Sequence, residues 1–205
     1  TVTWWTNIRF EKNFTPELCQ LLKKSGCIAV SGGLEVASPR ILKMISKGVT
    51  VEQVTQVTAN FSRSGILVHA YLMYGFPTQT ARETIDSLEI VRQLFKHGLV
   101  QSGFWHRFAL TAHSPVGQNP ERFGIGQVIR PEATFALNDL DFTDPAGCDH
   151  ERFGEGLRKA LYNYMHGQCF HFQLREWFDF PIPETTISPR FVKLVLAGGA
   201  SRGKY

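Results

Sequence analysis

Glu35 stands at the end of an apolar stretch, directly after Ser31-Gly32-Gly33-Leu34. A carboxylate placed there can accept hydrogen bonds from the hydroxyls or amines of a bound ligand, or it can cap a helix or pair with a lysine. Arg9 closes an earlier apolar stretch. Its planar guanidinium can grip a carboxylate or phosphate through two parallel bonds, or form an ion pair with Glu35. Gly32, Gly33 and Gly75 would let backbone approach a ligand closely, but no Walker or Rossmann spacing surrounds them, so they do not specify a phosphate. His106 and Arg107 lie between the apolar Trp105 and Phe108, and alternation turns one of the two inward. His113 and Ser114 follow on a loop. His69, inside a strand, reads as a core or sheet histidine, and Trp4, Trp5, Trp177 and Phe178 read as core aromatics.

The element that must position these groups is Gly65–Thr84. Ile66 to Leu72 is rich in β-branched and aromatic residues, as a buried strand should be. Gly75 and Pro77 break it in a tight turn, Tyr74 to Pro77. Thr80 and Glu83 then have the T-x-x-E spacing of a capping box. Strand, turn and helix start in that order put a ligand at a strand's carboxyl end, where parallel α/β folds bind.

The rest of the chain alternates in the same way. Val2–Phe10 reads as a strand. A helix capped by Thr15-Pro16 follows, with Leu18, Leu21 and Leu22 as its buried face. Cys27 to Val30 reads as a second strand, and Ser38-Pro39 starts a helix ended by Gly48. Thr50 to Gln53 reads as another capping box, opening a helix with Val54, Val57 and Phe61 inward. A long helix spans about 81–97, and Ser102 to Leu110 reads as one more strand. This alternation builds a parallel sheet. From residue 113 the texture changes, with Pro, Gly, Asn and Asp throughout 113–147 and one strand around Thr134 to Phe142. A helix over about 149–166, an aromatic segment from His171 to Phe180, and a helix capped by Ser188-Pro189 complete the chain. The pattern divides into an α/β part, 1–112, and an α+β extension, 113–205.

Bulk properties exclude several classes. The chain has 205 residues, a formal charge of +4 and 43% hydrophobic residues, enough for one fair-sized domain with a core. Its basic residues are scattered and Arg202 with Lys204 is too little for a basic tail, which argues against a nucleic-acid face. No apolar run approaches the ~18 residues that cross a membrane. Four cysteines at 19, 27, 148 and 169 have neither metal-ligand nor disulfide-framework spacing. They read as reduced thiols of a cytoplasmic protein. A strand-like start with no initiator Met or signal peptide suggests a piece of something longer.

Four stretches in order resemble the radical S-adenosylmethionine (radical SAM) superfamily. G-C-I-A-V-S-G-G-L-E-V-A-S-P-R-I-L-K-M-I-S-K-G (26–48) is similar to the family's G-L-E-S segment and the helix ending in Lys-Gly. A-Y-L-M-Y-G-F-P-T-Q-T (70–80) is similar to its G-F-P-G-E-T turn. W-T-N-I-R-F-E-K-N-F-T-P-E-L resembles the preceding strand and helix, and F-W-H-R-F-A-L-T-A-H-S-P the last barrel strand. The resemblance covers about 1–115, and the extension is similar to those of the branch that often carries a cobalamin-binding domain. It implies the second half of a partial (β/α)6 TIM-like barrel. It also implies that Glu35, Arg9 and the turn Tyr74, Gly75, Phe76 and Pro77 face S-adenosylmethionine, with His106, His113 and Ser114 nearer the substrate. The family's chemistry is reductive cleavage of the sulfonium to a 5′-deoxyadenosyl radical by a [4Fe–4S] cluster. Two departures stand out: Val36 replaces the usual Ser, and the C-x-x-x-C-x-x-C cluster loop is absent. No spacing among Cys19, Cys27, Cys148 and Cys169 replaces that loop. The resemblance therefore implies that the cluster, and in that branch cobalamin, belong to a parent whose missing N-terminal half is this chain's partner. The chain by itself should be inactive. Two other readings stay open: a non-catalytic RNA-binding module, and a metal-independent barrel hydrolase or lyase using His113 and Glu35.

Overall fold

The computed structural model describes residues 2–129 and 138–198. Four strands, β1 (Trp4–Ile8), β2 (Cys27–Glu35), β3 (Leu67–Tyr74) and β4 (Ser102–Arg107), form one parallel sheet in sequence order. Helices make the crossovers: α1 (Pro16–Lys24), α2 (Pro39–Met44) with α3 (Val51–Arg63), and α4 (Ala81–Lys96). Thr15, Ser38, Thr50 and Thr80 cap these helices through their side chains, and the reciprocal box of Thr80 and Glu83 is complete. The box expected at Thr50 is half formed, because Gln53 donates its side-chain amide to the Phe10 carbonyl instead. The expected strand over Ser102 to Leu110 ends at Arg107. Leu110–Thr111 (β5) then joins a second, antiparallel sheet with Val128–Ile129 (β6) and Asp139–Phe142 (β7). Of the strand expected at 134–142, residues 134–137 lie outside the described residues, as do Arg202 and Lys204.

Register sorts the main sheet into two unlike faces. Ile8, Gly32, Ala70 and Gly103 pair across it, as do Leu72 and Trp105, and this face carries the helices and the core. The other face shows Trp5, Ala29 and Leu67 in one row and Asn7, Ser31, His69 and Ser102 in the next. Gly33, Tyr71 and Phe104 follow, then Met73 and His106. Trp5, Leu67 and Phe104 are 61%, 56% and 52% exposed on that face. Trp5 is therefore not a core residue, and His69 is a sheet histidine, half-buried on the uncovered side and bonded to Ser102 of the next strand. Leu21 is also exposed, since the buried residue of α1 is Cys19.

The extension is built onto this frame. Phe153, Leu157 and Leu161 of α6 (Phe153–Met165) and Phe191 and Val192 of α7 (Phe191–Leu196) belong to the same buried cluster as β3 and α4. The last helix starts three residues after the expected Ser188-Pro189 cap, because the Ser188 carbonyl accepts both the Phe191 amide and the Gln93 side chain. Asp86 on α4 accepts hydrogen bonds from the Thr185 hydroxyl and from the Thr186 amide and hydroxyl, at 2.6–2.7 Å. Asp86→Ala should cost about 2 kcal/mol. Urea denaturation would measure this, and limited proteolysis should show faster cleavage near residue 185.

Candidate functional site

The site lies at the carboxyl end of the parallel sheet, where β2 and β3 run out. Glu35 adopts φ 58°, a left-handed conformation uncommon outside glycine. Its Oε1 lies 2.6 Å from Lys47 Nζ, and both side chains are mostly buried. The pair sits directly over Gly33, where an added Cβ would lie 2.2 Å from Glu35 Oε1 and 2.7 Å from Lys47 Nζ. A side chain there would displace the flexible ends of both residues. Glu35 Oε2 has no partner among the described residues and keeps its acceptor capacity.

Arg9 does not pair with Glu35. Its guanidinium donates to the Lys47 carbonyl and lies 3.2 Å from Glu11. Lys47 thus stands between the two residues named from the sequence, holding one by its ammonium and the other by its carbonyl. The Lys-Gly ending the quoted motif was the available signal for it.

Tyr74 to Pro77 form a turn whose side chains are buried in the protein. Tyr74 packs edge-on to Trp105, and Phe76 packs against Phe108 and Phe123. The turn can therefore meet a ligand through backbone alone. Gly75 has φ 78°. Gln79, fully buried, accepts from the Phe76 amide and donates to Thr84 Oγ1. Arg40 holds the next residue, donating to the Thr78 hydroxyl at 3.0 Å and carbonyl at 2.8 Å, and Asp144 accepts the Thr78 amide at 2.7 Å. Val36 is fully buried with Ile41, Phe76 and Leu110, so the position with Val in place of Ser supplies packing.

Beside the turn is a cavity of about 530 Å³, lined by Gly75, Arg107, Leu140, Asp141, Cys148 and His150 among others. His150 lies against Gly75, its Nδ1 3.4 Å from Cys148 Sγ and its buried Nε2 without a partner among the described residues. Burial lowers the His150 pKa, with Asp144 opposing and Arg107 assisting. Burial, then Asp144 and Asp149, push the Cys148 thiol up to about 11. Both are neutral near pH 7. No local sequence signal marks His150, since the extension brings it here from far along the chain.

The remaining named residues are dispersed. His106 is exposed on the uncovered sheet face, beside Phe104 at 4.5 Å and Tyr71 at 6.1 Å between ring centroids. His113 is exposed on the loop after β5. Ser114 caps the short helix α5 (Pro115–Gln118), accepting the Gly117 amide and donating to the Thr111 carbonyl. Cys19 and Cys27 are buried, with the Cys19 thiol raised to about 11 mainly by burial. Cys148 and Cys169 are half-buried in the extension. No group of three or more His, Cys, Asp or Glu side chains among the described residues could hold a metal ion, so these cysteines do not fit a cluster. No helix among the described residues is long and apolar enough to cross a membrane.

A parallel sheet with a left-handed glutamate over a glycine, and a G-F-P turn beside it, defines an α/β protein whose candidate site lies at the carboxyl end of the sheet. Residues 7–91 match the sequence model of the Radical SAM superfamily. It is 30% identical over 90 residues to an uncharacterized methyltransferase of Pyrococcus horikoshii, covering 44% of this chain and 20% of that protein. It is 28% identical over 93 residues to the bacteriochlorophyllide d C-12(1)-methyltransferase of Chlorobaculum tepidum, covering 45% and 20%. The chain thus spans about a fifth of these curated relatives. Its fold is similar to that of the radical S-adenosylmethionine methyltransferase TsrM of Kitasatospora setae, solved with cobalamin and a [4Fe–4S] cluster. The TM-score is 0.54 at 16% identity, covering 96% of this chain and 41% of that one.

Proposed function

We propose that this chain is the second half of a partial (β/α)6 barrel, with an α+β extension, within a larger radical SAM enzyme. That enzyme would be cytoplasmic, methyltransferase-like, and of the branch that pairs the barrel with cobalamin. The observation that carries this reading is Glu35, held in a left-handed conformation over Gly33 by Lys47, with one carboxylate oxygen free. S-adenosylmethionine supplies a sulfonium whose substituents can be transferred once it is bound. Glu35 would accept hydrogen bonds from its hydroxyl or ammonium groups. Arg9, positioned through the Lys47 carbonyl, would face its carboxylate, and the backbone of Tyr74–Pro77 would lie against its ring. His106 and His113 would stand on the substrate side. The cluster ligands would come from polypeptide outside these residues, because the four cysteines do not converge.

The test is Glu35→Ala in the intact protein, with S-adenosylmethionine binding followed by equilibrium dialysis. Loss of two or more charge-assisted hydrogen bonds should weaken binding at least about tenfold, with the circular dichroism spectrum unchanged. Unchanged affinity would reject the reading.

A further inference from the structure

The uncovered face of the main sheet departs from the rule for parallel sheets, whose strands are apolar on both sides. Its second row, Asn7, Ser31, His69 and Ser102, places a polar side chain on each of the four strands. Ser31 is 92% buried by residue area, being 8% exposed, yet its hydroxyl makes no hydrogen bond among the described residues. The side chains of Asn7, Tyr71 and His106 likewise have no hydrogen-bond partner among the described residues. His69 engages only Nδ1 there, at 2.8 Å from Ser102 Oγ. A protein layer laid flat over such a row would strand these groups, at a cost that apolar contact elsewhere would not offset.

Above the polar row the face becomes aromatic. His69 and Tyr71 meet edge to face at 5.1 Å, Tyr71 and His106 lie 6.1 Å apart, and Phe104 and His106 4.5 Å apart. The rows themselves contain no Asp, Glu, Lys or Arg, and the Glu35–Lys47 pair that sits over Gly33 carries opposite charges. Burial, and then His106, lower the His69 pKa, so its imidazole is neutral near pH 7. Rings offering faces and edges bind flat π-systems, and neutral hydroxyl, amide and imidazole groups bind the heteroatoms on a ring's rim.

We infer that this face, centred on Ser31, His69, Tyr71, Phe104 and His106, binds the substrate, and that the substrate is an uncharged planar conjugated ring with hydrogen-bonding edges. The inference rests on the proposed function, since it names the substrate class of that site. Over these rows a phosphorylated or polyanionic substrate would meet Lys47, whose ammonium already pairs with Glu35.

The test uses the intact protein and two neutral probes with the same lactam group: 2-quinolone, which is flat, and its fully saturated bicyclic lactam, which is not. Ligand-observed NMR titration should give at least tenfold tighter binding of 2-quinolone. Tyr71→Leu with Phe104→Leu should abolish that preference, and the milder Ser31→Val should weaken 2-quinolone binding several-fold. Circular dichroism checks that each variant is folded, and Ser31→Val serves if the double variant is not. Equal affinity for the two probes, no binding of 2-quinolone, or insensitivity to folded variants would overturn the inference. Dialysis with S-adenosylmethionine on the same samples separates the two readings. Cofactor binding without ring preference rejects the ring site alone. Ring preference without cofactor binding rejects the proposed function, and with it the identification of the ring as substrate.

Discussion

Glu89→Ala is expected to lower stability by about 3–5 kcal/mol, because it breaks a buried ion pair and leaves its partner uncompensated. Glu89 is 2% exposed on α4, and Arg92 one turn on reaches both its oxygens at 2.7 Å. Gln93 donates to the same carboxylate at 2.8 Å. Arg92 and Gln93 hold the extension in turn: Arg92 donates to the Phe170 carbonyl, while Gln93 donates to the Ser188 carbonyl and accepts the Val192 amide. Removing Glu89 therefore leaves a buried guanidinium unpaired and loosens three anchors of the segment from Phe170 to Val192. A urea titration would read the loss. Glu155→Ala on α6 is the control, since Glu155 and Lys159 form an exposed pair and its loss should leave the midpoint unchanged. If the two variants unfold at the same urea concentration, the anchoring role of Glu89 is wrong.

The contrast between these two glutamates shows where the sequence is legible and where it is not. Local chemistry reads well. The Thr80–Glu83 box, the Thr15-Pro16 and Ser38-Pro39 starts, and the stripe of Ile85, Leu88, Val91 and Leu94 depend on neighbours within a turn or two. Strand alternation with helices gives the parallel sheet for the same reason. What does not read is any role assigned by a residue far along the chain. Gln53 leaves its box for Phe10, and the Ser188 carbonyl is taken by Gln93, 95 positions away, so the last helix starts late. Trp5 looks like core by composition, yet which face of a strand is covered is settled by tertiary packing.

The candidate site divides along the same line. Glu35, Gly33, Gly75 and Pro77 are legible because each is punctuation at the end of a strand. Lys47 was visible as part of a motif but not as the bridge between Arg9 and Glu35, since that needs the segment after α2 folded back to the ends of β1 and β2. His150 could not be read at all: its position against Gly75 depends on the extension closing over the sheet. Ser114 was named by its place on the loop, and the structure adds that its hydroxyl caps its own helix, as serine before proline commonly does.

Glu83→Ala is the second large effect expected, about 2–3 kcal/mol, and it should reach the turn Tyr74–Pro77. The Glu83 carboxylate accepts from Arg40 Nη2 at 2.7 Å and Nε at 3.0 Å, from the Ser38 hydroxyl at 2.7 Å, and from the Thr80 amide at 2.9 Å. It therefore joins the caps of α2 and α4 and orients the arginine that holds Thr78, itself at φ 65°. Burial raises the Glu83 pKa, but the bonds from Arg40, Thr80 and Ser38 together outweigh it, and the net value is lowered. A carboxyl group whose folded pKa is depressed contributes stability above the ordinary glutamate range and loses it as pH falls through the folded value. The wild-type chain should thus lose stability on acidification below that range, and Glu83→Gln should show a flatter profile across the same window. Urea midpoints taken at several acidic pH values would measure both. In the intact protein, freeing Arg40 from Glu83 should also weaken S-adenosylmethionine binding several-fold, because Thr78 would lose the guanidinium that fixes the turn. A Glu83→Gln profile parallel to wild type would show that the carboxylate is not the charge on which this end of the sheet depends.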